Sequence, residues 1–141
     1  MRLNRLIALM AFYTTSLSAA TPAVVAIKCT GITEALPAGT NAPDSMIFII
    51  DEKTEMVSLW DTKSQARMPI CISSSNCVKK FGGAHIRIVQ QDSGGSHIVD
   101  VERDTGEVMY IKRSRSPNGM VSFEGTCSKT AIPASSGPRK F

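Results

Sequence analysis

This 141-residue sequence predicts an all-β fold: a small antiparallel meander that closes into a barrel or a curved two-layer sheet, stapled by disulfides. Three observations predict it. From residue 46 onward, apolar residues come in short runs or at period two, separated by turn residues. No stretch of useful length beyond the first 26 residues repeats at the helical period. Four cysteines, an even number, follow a segment that reads as an export leader.

That leader is residues 1–26, "MRLNRLIALMAFYTTSLSAATPAVVA". Arg2 and Arg5 form a positive end, Leu6 to about Tyr13 an apolar run, and small residues follow. The run is far short of the roughly 20 residues that span a bilayer, so a signal peptide is expected rather than an anchor. Cleavage fits after Ala20 or after Ala26. Lys28 before Cys29 argues against lipid attachment, which needs a small residue there. The expected location is periplasmic or secreted. Removing residues 1–26 takes Arg2 and Arg5 from the 16 basic residues and nothing from the 12 acids, so a formal +4 becomes +2. A charge this small does not argue for nucleic acid or an anionic membrane.

The remaining chain suits one domain, residues 27–129, with a flexible basic tail over 130–141 ending in Arg139 and Lys140. Residues 27–45 read as one short strand followed by a polar Pro/Gly-rich connection. "MIFII" is a continuous apolar run, as in a strand buried on both faces, and "DEKTE" turns. "MVSLW" puts Val57 and Leu59 on one face and Met56, Ser58 and Trp60 on the other. "ARMPICI" is a strand with Pro69 at an edge or a strand start, because proline cannot donate to a ladder.

"HIRIVQ" points Ile86 and Ile88 inward and His85 and Arg87 outward. "QDSGGS" turns. "HIVDVER" places Val99 and Val101 on one face and Asp100 and Glu102 on the other. Asp104–Gly106 is a hairpin signal, with Gly106 suited to a positive φ. "EVMYIKRS" returns, and "SPNG" turns with Asn118-Gly119 suited to a primed turn. In "MVSFEGTC", Val121, Phe123, Gly125 and Cys127 share a face, and Gly125 marks a bulge or a close approach.

Short spacing favours pairing Cys71 with Cys77, which leaves Cys29 and Cys127 to join the two ends of the folded region. The alternative for the "CISSSNC" pair is a zinc set of Cys71, Cys77, His85 and His97. Its spacings and an oxidising compartment weigh against it, and no metal or cofactor is expected. A redox pair lacks the C-x-x-C turn.

No nucleophile elbow, P-loop or dinucleotide pattern is present, so catalysis is not expected. His97 lies close in sequence to Ser93, Ser96, Asp92 and Asp100, an ordinary composition for a serine-rich turn. With 6% aromatic residues, few rings can stack bases, so nucleic acid is not an expected partner. A protein or an anionic envelope component is.

The pattern "DVERDTGEVMYIKRS…VSFEGTCSKTA…PRKF", with "KCTG" near residue 29, resembles small exported proteobacterial β proteins of unknown function. In those, an acid-Arg-x-Thr-Gly turn precedes a final strand ending G-x-C. "DSGGSHI" is similar to part of the Ser-Gly-x-Gly-x-x-Tyr loop of periplasmic C-type lysozyme inhibitors, through Ser93, Gly94 and Gly95; Ile98 stands near where that motif carries its aromatic. This resemblance implies an eight-stranded, disulfide-closed barrel, with Ser93, Gly94, Gly95 and Ser96 as the loop that binds a partner.

Overall fold

The computed structural model describes residues 24–71, 76–115 and 118–134. The described residues form nine strands: β1 (Val24–Leu36), β2 (Thr40–Asp51), β3 (Met56–Asp61), β4 (Ala66–Pro69), β5 (Cys77–Phe81), β6 (His85–Asp92), β7 (Gly95–Glu102), β8 (Glu107–Arg115) and β9 (Asn118–Thr130). All ladders are antiparallel, and the strand order β4-β3-β2-β1-β9-β8-β7-β6-β5 makes one sheet curled into a half-barrel. The first and last strands are neighbours at its centre. Cys29 and Cys127 face each other in that ladder and are bonded, 98 residues apart in sequence.

The curl follows from the side-chain pattern. Ile86, Ile88, Val99, Val101 and Phe123 alternate with polar residues, and Val108 and Tyr110 with the less buried Met109 and Ile111, so their strands have one greasy face, and curling that face onto itself hides it. The extent of the curl can be judged from Phe48 on β2 and Tyr110 on β8. Three ladder spacings separate those strands, about 14 Å in a flat sheet. Their ring centroids are 6.1 Å apart in an edge-on contact. Ile70 and Cys71, just past β4, fold into the same core. β2 and β3 are buried on both faces, as the "MIFII" run predicts. Phe48, Ile50 and Val57 face the main core, while Ile49 and Trp60 pack with Ala26 on the outer face.

Three points of the sequence reading need correction. The polar stretch after the first strand is not a long connection. β1 runs to Leu36, the link is residues 37–39, and Thr40–Ser45 already pair with β1 as an exposed strand end. Backbone pairing, which is indifferent to side-chain polarity, extends the hairpin beyond its apolar part. Asn118 and Gly119 are not the turn centre. They pair with Arg115 and Ser114 in the β8–β9 ladder; residues 116–117 lie outside the described residues. β5 has no counterpart in the sequence reading. It is five residues long and carries Lys79 and Lys80, with Val78 left exposed, so its apolar alternation is weak. The curled sheet is the curved form expected, and β4 and β5 are its edges. Arg67, Pro69, Lys79 and Lys80 blunt these edges, because proline and charge discourage another chain from adding a strand.

The second disulfide, Cys71–Cys77, joins the residue after Ile70 to the first residue of β5, and so ties one free edge of the half-barrel to the other. Residues 72–75 within this clip lie outside the described residues, as do residues 1–23 and the tail from 135 onward. β1 begins at Val24, so Val24–Ala26 are laddered to β2.

Two glycine positions carry structure. Gly106 takes a φ of +74° in the β7–β8 turn, where its N–H donates to the Glu102 carbonyl. Gly125 faces Gly31 across the central ladder, and a Cβ on it would sit 2.6 Å from the Thr30 carbonyl oxygen and 2.8 Å from the Phe123 ring. It is therefore a close approach rather than a bulge, and the Phe123 ring occupies the space a side chain would need.

Candidate functional site

The concave face ends in an open mouth. Five strand ends meet there: the start of β1 and β6, and the far ends of β2, β7 and β9. Alternation brings Val25, Ile27, Ile50, Ile86 and Val101 to its wall, beside Cys127. The cavity is about 340 Å³, toward the lower end of the range for small-molecule sites.

Charged groups stand at the rim. Arg103, in the β7–β8 turn, donates from Nη1 to Glu52 Oε1 of the β2–β3 turn at 2.5 Å. These turns are far apart along the sheet, so the pair is a chord across the half-barrel. The Arg103 guanidinium holds the Glu52 carboxyl below its ordinary value, mainly through this hydrogen bond. The Arg103 backbone N–H is anchored on the Ala84 carbonyl at 2.8 Å. Its Nε is buried and has no hydrogen-bond partner. A guanidinium presents its donors as a planar fork suited to a carboxylate or phosphate, and this Nε–H is a donor left unmet beside the apolar wall.

The loop singled out by sequence sits at the other end of the barrel. Asp92 and Gly95 pair, so Ser93 and Gly94 form a two-residue tip. Asp92 Oδ1 accepts from the N–H groups of Gly94 (2.8 Å) and Gly95 (3.0 Å), which fixes the turn. Ser93 and Gly94 are exposed; Gly95 and Ser96 are partly buried in the ladder. The four residues make one compact tip, separate from the mouth.

The structure separates the members of the weighed zinc set, because Cys71 and Cys77 are consumed in a disulfide. The two histidines also lie on opposite faces. His97 points inward, half-buried, with Nδ1 3.4 Å from the Tyr110 hydroxyl. Burial lowers its pKa; nearby Lys112 adds to this and Asp92 opposes it. His85 points outward onto Asp100, so Asp100 partners His85 and not His97.

Sequence reasoning missed both Arg103 and Glu52. The "VERDTG" turn was legible, but nothing local says that its arginine reaches residue 52. No family model and no curated protein matches the chain.

Proposed function

We propose that the protein is an exported, non-catalytic binding domain whose mouth takes a small amphiphile: an anionic head group on Arg103 and a short hydrocarbon tail against Val25, Ile27, Ile50, Ile86 and Val101. The unpartnered, buried Nε of Arg103 at the edge of an apolar cavity carries this reading. The two disulfides fit an oxidising compartment, which supports export to the periplasm or the medium through the 1–26 leader. Among the described residues no helix is long and apolar enough to cross a membrane.

The test is a titration of the mature protein with sodium hexanoate and sodium octanoate, followed by amide chemical shifts. Two extra methylenes buried in the cavity contribute about 1.6 kcal/mol, so octanoate should bind about fifteenfold tighter. The shifts should cluster at Ile27, Ile50, Ile86 and Val101, and Arg103→Gln should weaken both ligands. Equal affinities for the two chain lengths, or shifts elsewhere, end this reading.

A second reading draws on the exposed Ser93–Gly94 tip. A lysozyme inhibitor acting through Ser93–Ser96 would present such a tip to the enzyme's cleft. Assay against chicken-type lysozyme, with Ser93→Ala as control, decides it: no inhibition at micromolar protein removes this reading and leaves the mouth untouched.

A further inference from the structure

On the outer face of β6 and β7 stands a cluster that shares only Glu102 with the lining of the mouth. His85 opens β6 directly opposite Glu102, and Arg87 is opposite Asp100. Asp100 and Glu102 are two residues apart on one strand, so both project outward and flank the imidazole. His85 Nε2 contacts Asp100 Oδ1 and lies 3.7 Å from Glu102 Oε1. One donor atom from each of the three falls within 4.8 Å of the others.

We propose that His85 Nε2, Asp100 Oδ1 and Glu102 Oε1 bind a divalent transition-metal ion of the zinc class. Zinc–nitrogen and zinc–oxygen bonds of about 2.0–2.2 Å place the donors of a tetrahedral shell about 3.4 Å apart, so small side-chain rotations bring these three onto one ion. One imidazole with two carboxylates suits zinc and its transition-metal neighbours. Magnesium and calcium prefer all-oxygen shells. No thiolate competes, since all four cysteines are in disulfides.

The surroundings support a cation. Arg87 Nη1 donates to the other oxygen of Asp100 at 2.8 Å, which fixes that carboxylate with Oδ1 turned toward His85. Outer contacts of this kind orient metal-binding carboxylates and imidazoles. Its two carboxylates, Asp100 and Glu102, line a concavity of about 510 Å³ together with Glu107 and Glu124. Four carboxylates, set against Arg87 and its cross-strand neighbour Lys80, leave a net negative local field that concentrates cations. Three protein donors leave a coordination position open to this concavity, the arrangement of a site that can still take water or a further ligand. The competing reading is a plain histidine–carboxylate ion pair, which predicts no metal affinity beyond that of any acidic surface.

Isothermal titration of the metal-free mature protein with Zn²⁺ separates the two, with Co²⁺ absorption as an optical check on nitrogen/oxygen coordination. The expected result is one ion per chain at micromolar affinity, weakened at least about tenfold by His85→Ala and by Asp100→Asn and unaffected by His97→Ala. Thermal melts show whether each variant is folded, and Asp100→Asn stands in if His85→Ala is not. No binding at micromolar Zn²⁺, binding unchanged in His85→Ala or Asp100→Asn, displacement by equimolar Ca²⁺, or loss in His97→Ala would each overturn the site.

Discussion

Removing each disulfide separately tests what holds this half-barrel together. In the chain-entropy account, a bridge stabilises by restricting the unfolded chain, and the effect grows with the loop it closes. Cys29 and Cys127 are 98 residues apart, which corresponds to about 4.7 kcal/mol. Cys71 and Cys77 are 6 apart, which corresponds to about 2.4 kcal/mol. Burial does not offset the difference. Each bridge has one cysteine buried in the main core, Cys29 or Cys71, and one partly buried against it, Cys127 or Cys77, so truncation leaves comparable holes. Cys29→Ala/Cys127→Ala should therefore cost about 2.3 kcal/mol more than Cys71→Ala/Cys77→Ala. That is about 9–18 °C in Tm for a domain of this size. Urea unfolding of the two double variants gives the comparison directly, through the shift in midpoint at unchanged slope. An equal or larger loss from the Cys71/Cys77 variant would refute the entropy argument. The stability would then come from tying β4 to β5 in the folded state, a role that loop length does not measure.

Four further predictions concern packing, protonation and processing. Gly125→Ala should destabilise by about 1–3 kcal/mol, because its Cβ would press on the Thr30 carbonyl and on Phe123; a neutral result in a thermal melt would show that β1 and β9 can separate freely. Since burial lowers the folded-state pKa of His97, the unfolded chain binds more protons below about pH 6.5, and stability should fall as pH drops from 6.5 toward the lowered value. His97→Gln should flatten that part of the profile. Burial raises the Tyr110 hydroxyl, so above about pH 10 the unfolded chain loses protons first and stability falls with rising pH, a limb that Tyr110→Phe should remove. Finally, Val24–Ala26 pair with Ile49–Asp51, and Ala26 packs against Ile49 and Trp60. Export cleavage after Ala20 would keep this contact and cleavage after Ala26 would remove it. The mass of the exported protein should therefore correspond to a chain starting at Thr21; one starting at Ile27 would refute this.

The fold class was legible because alternation was legible. In "HIRIVQ" and "HIVDVER" the residues expected to face inward, Ile86, Ile88, Val99 and Val101, are the buried ones. Gly106 was legible because positive φ has a residue preference. What escaped was whatever side chains do not encode. Thr40–Ser45 form a strand because Thr30–Ala35 offer them a ladder, and β5 forms because β6 does. The mouth escaped for a further reason. Arg103 and Glu52 meet only because the sheet curls, and curl is a property of the whole core. His85, Asp100 and Glu102 were a middle case. The expected outward faces were right for all three, yet the pairing of His85 with Glu102 depends on a register that no single strand contains.

That register also decides how the two proposed sites should be examined. Along Asp100-Val101-Glu102-Arg103, one strand end serves both: Val101 and Arg103 line the mouth, Asp100 and Glu102 the outer concavity, and Glu102 reaches the edge of each. Strand alternation separates the two chemistries by a single residue, with an apolar wall on one side and a donor set on the other. A substitution at Glu102 therefore removes a metal donor and a rim charge together and reports on neither alone. His85 belongs only to the outer cluster and Arg103 only to the mouth. If zinc affinity follows His85 and octanoate affinity follows Arg103, each variant leaving the other property intact, the two faces act independently. If His85→Ala alters octanoate binding, the effect must pass through Glu102, the residue common to both linings.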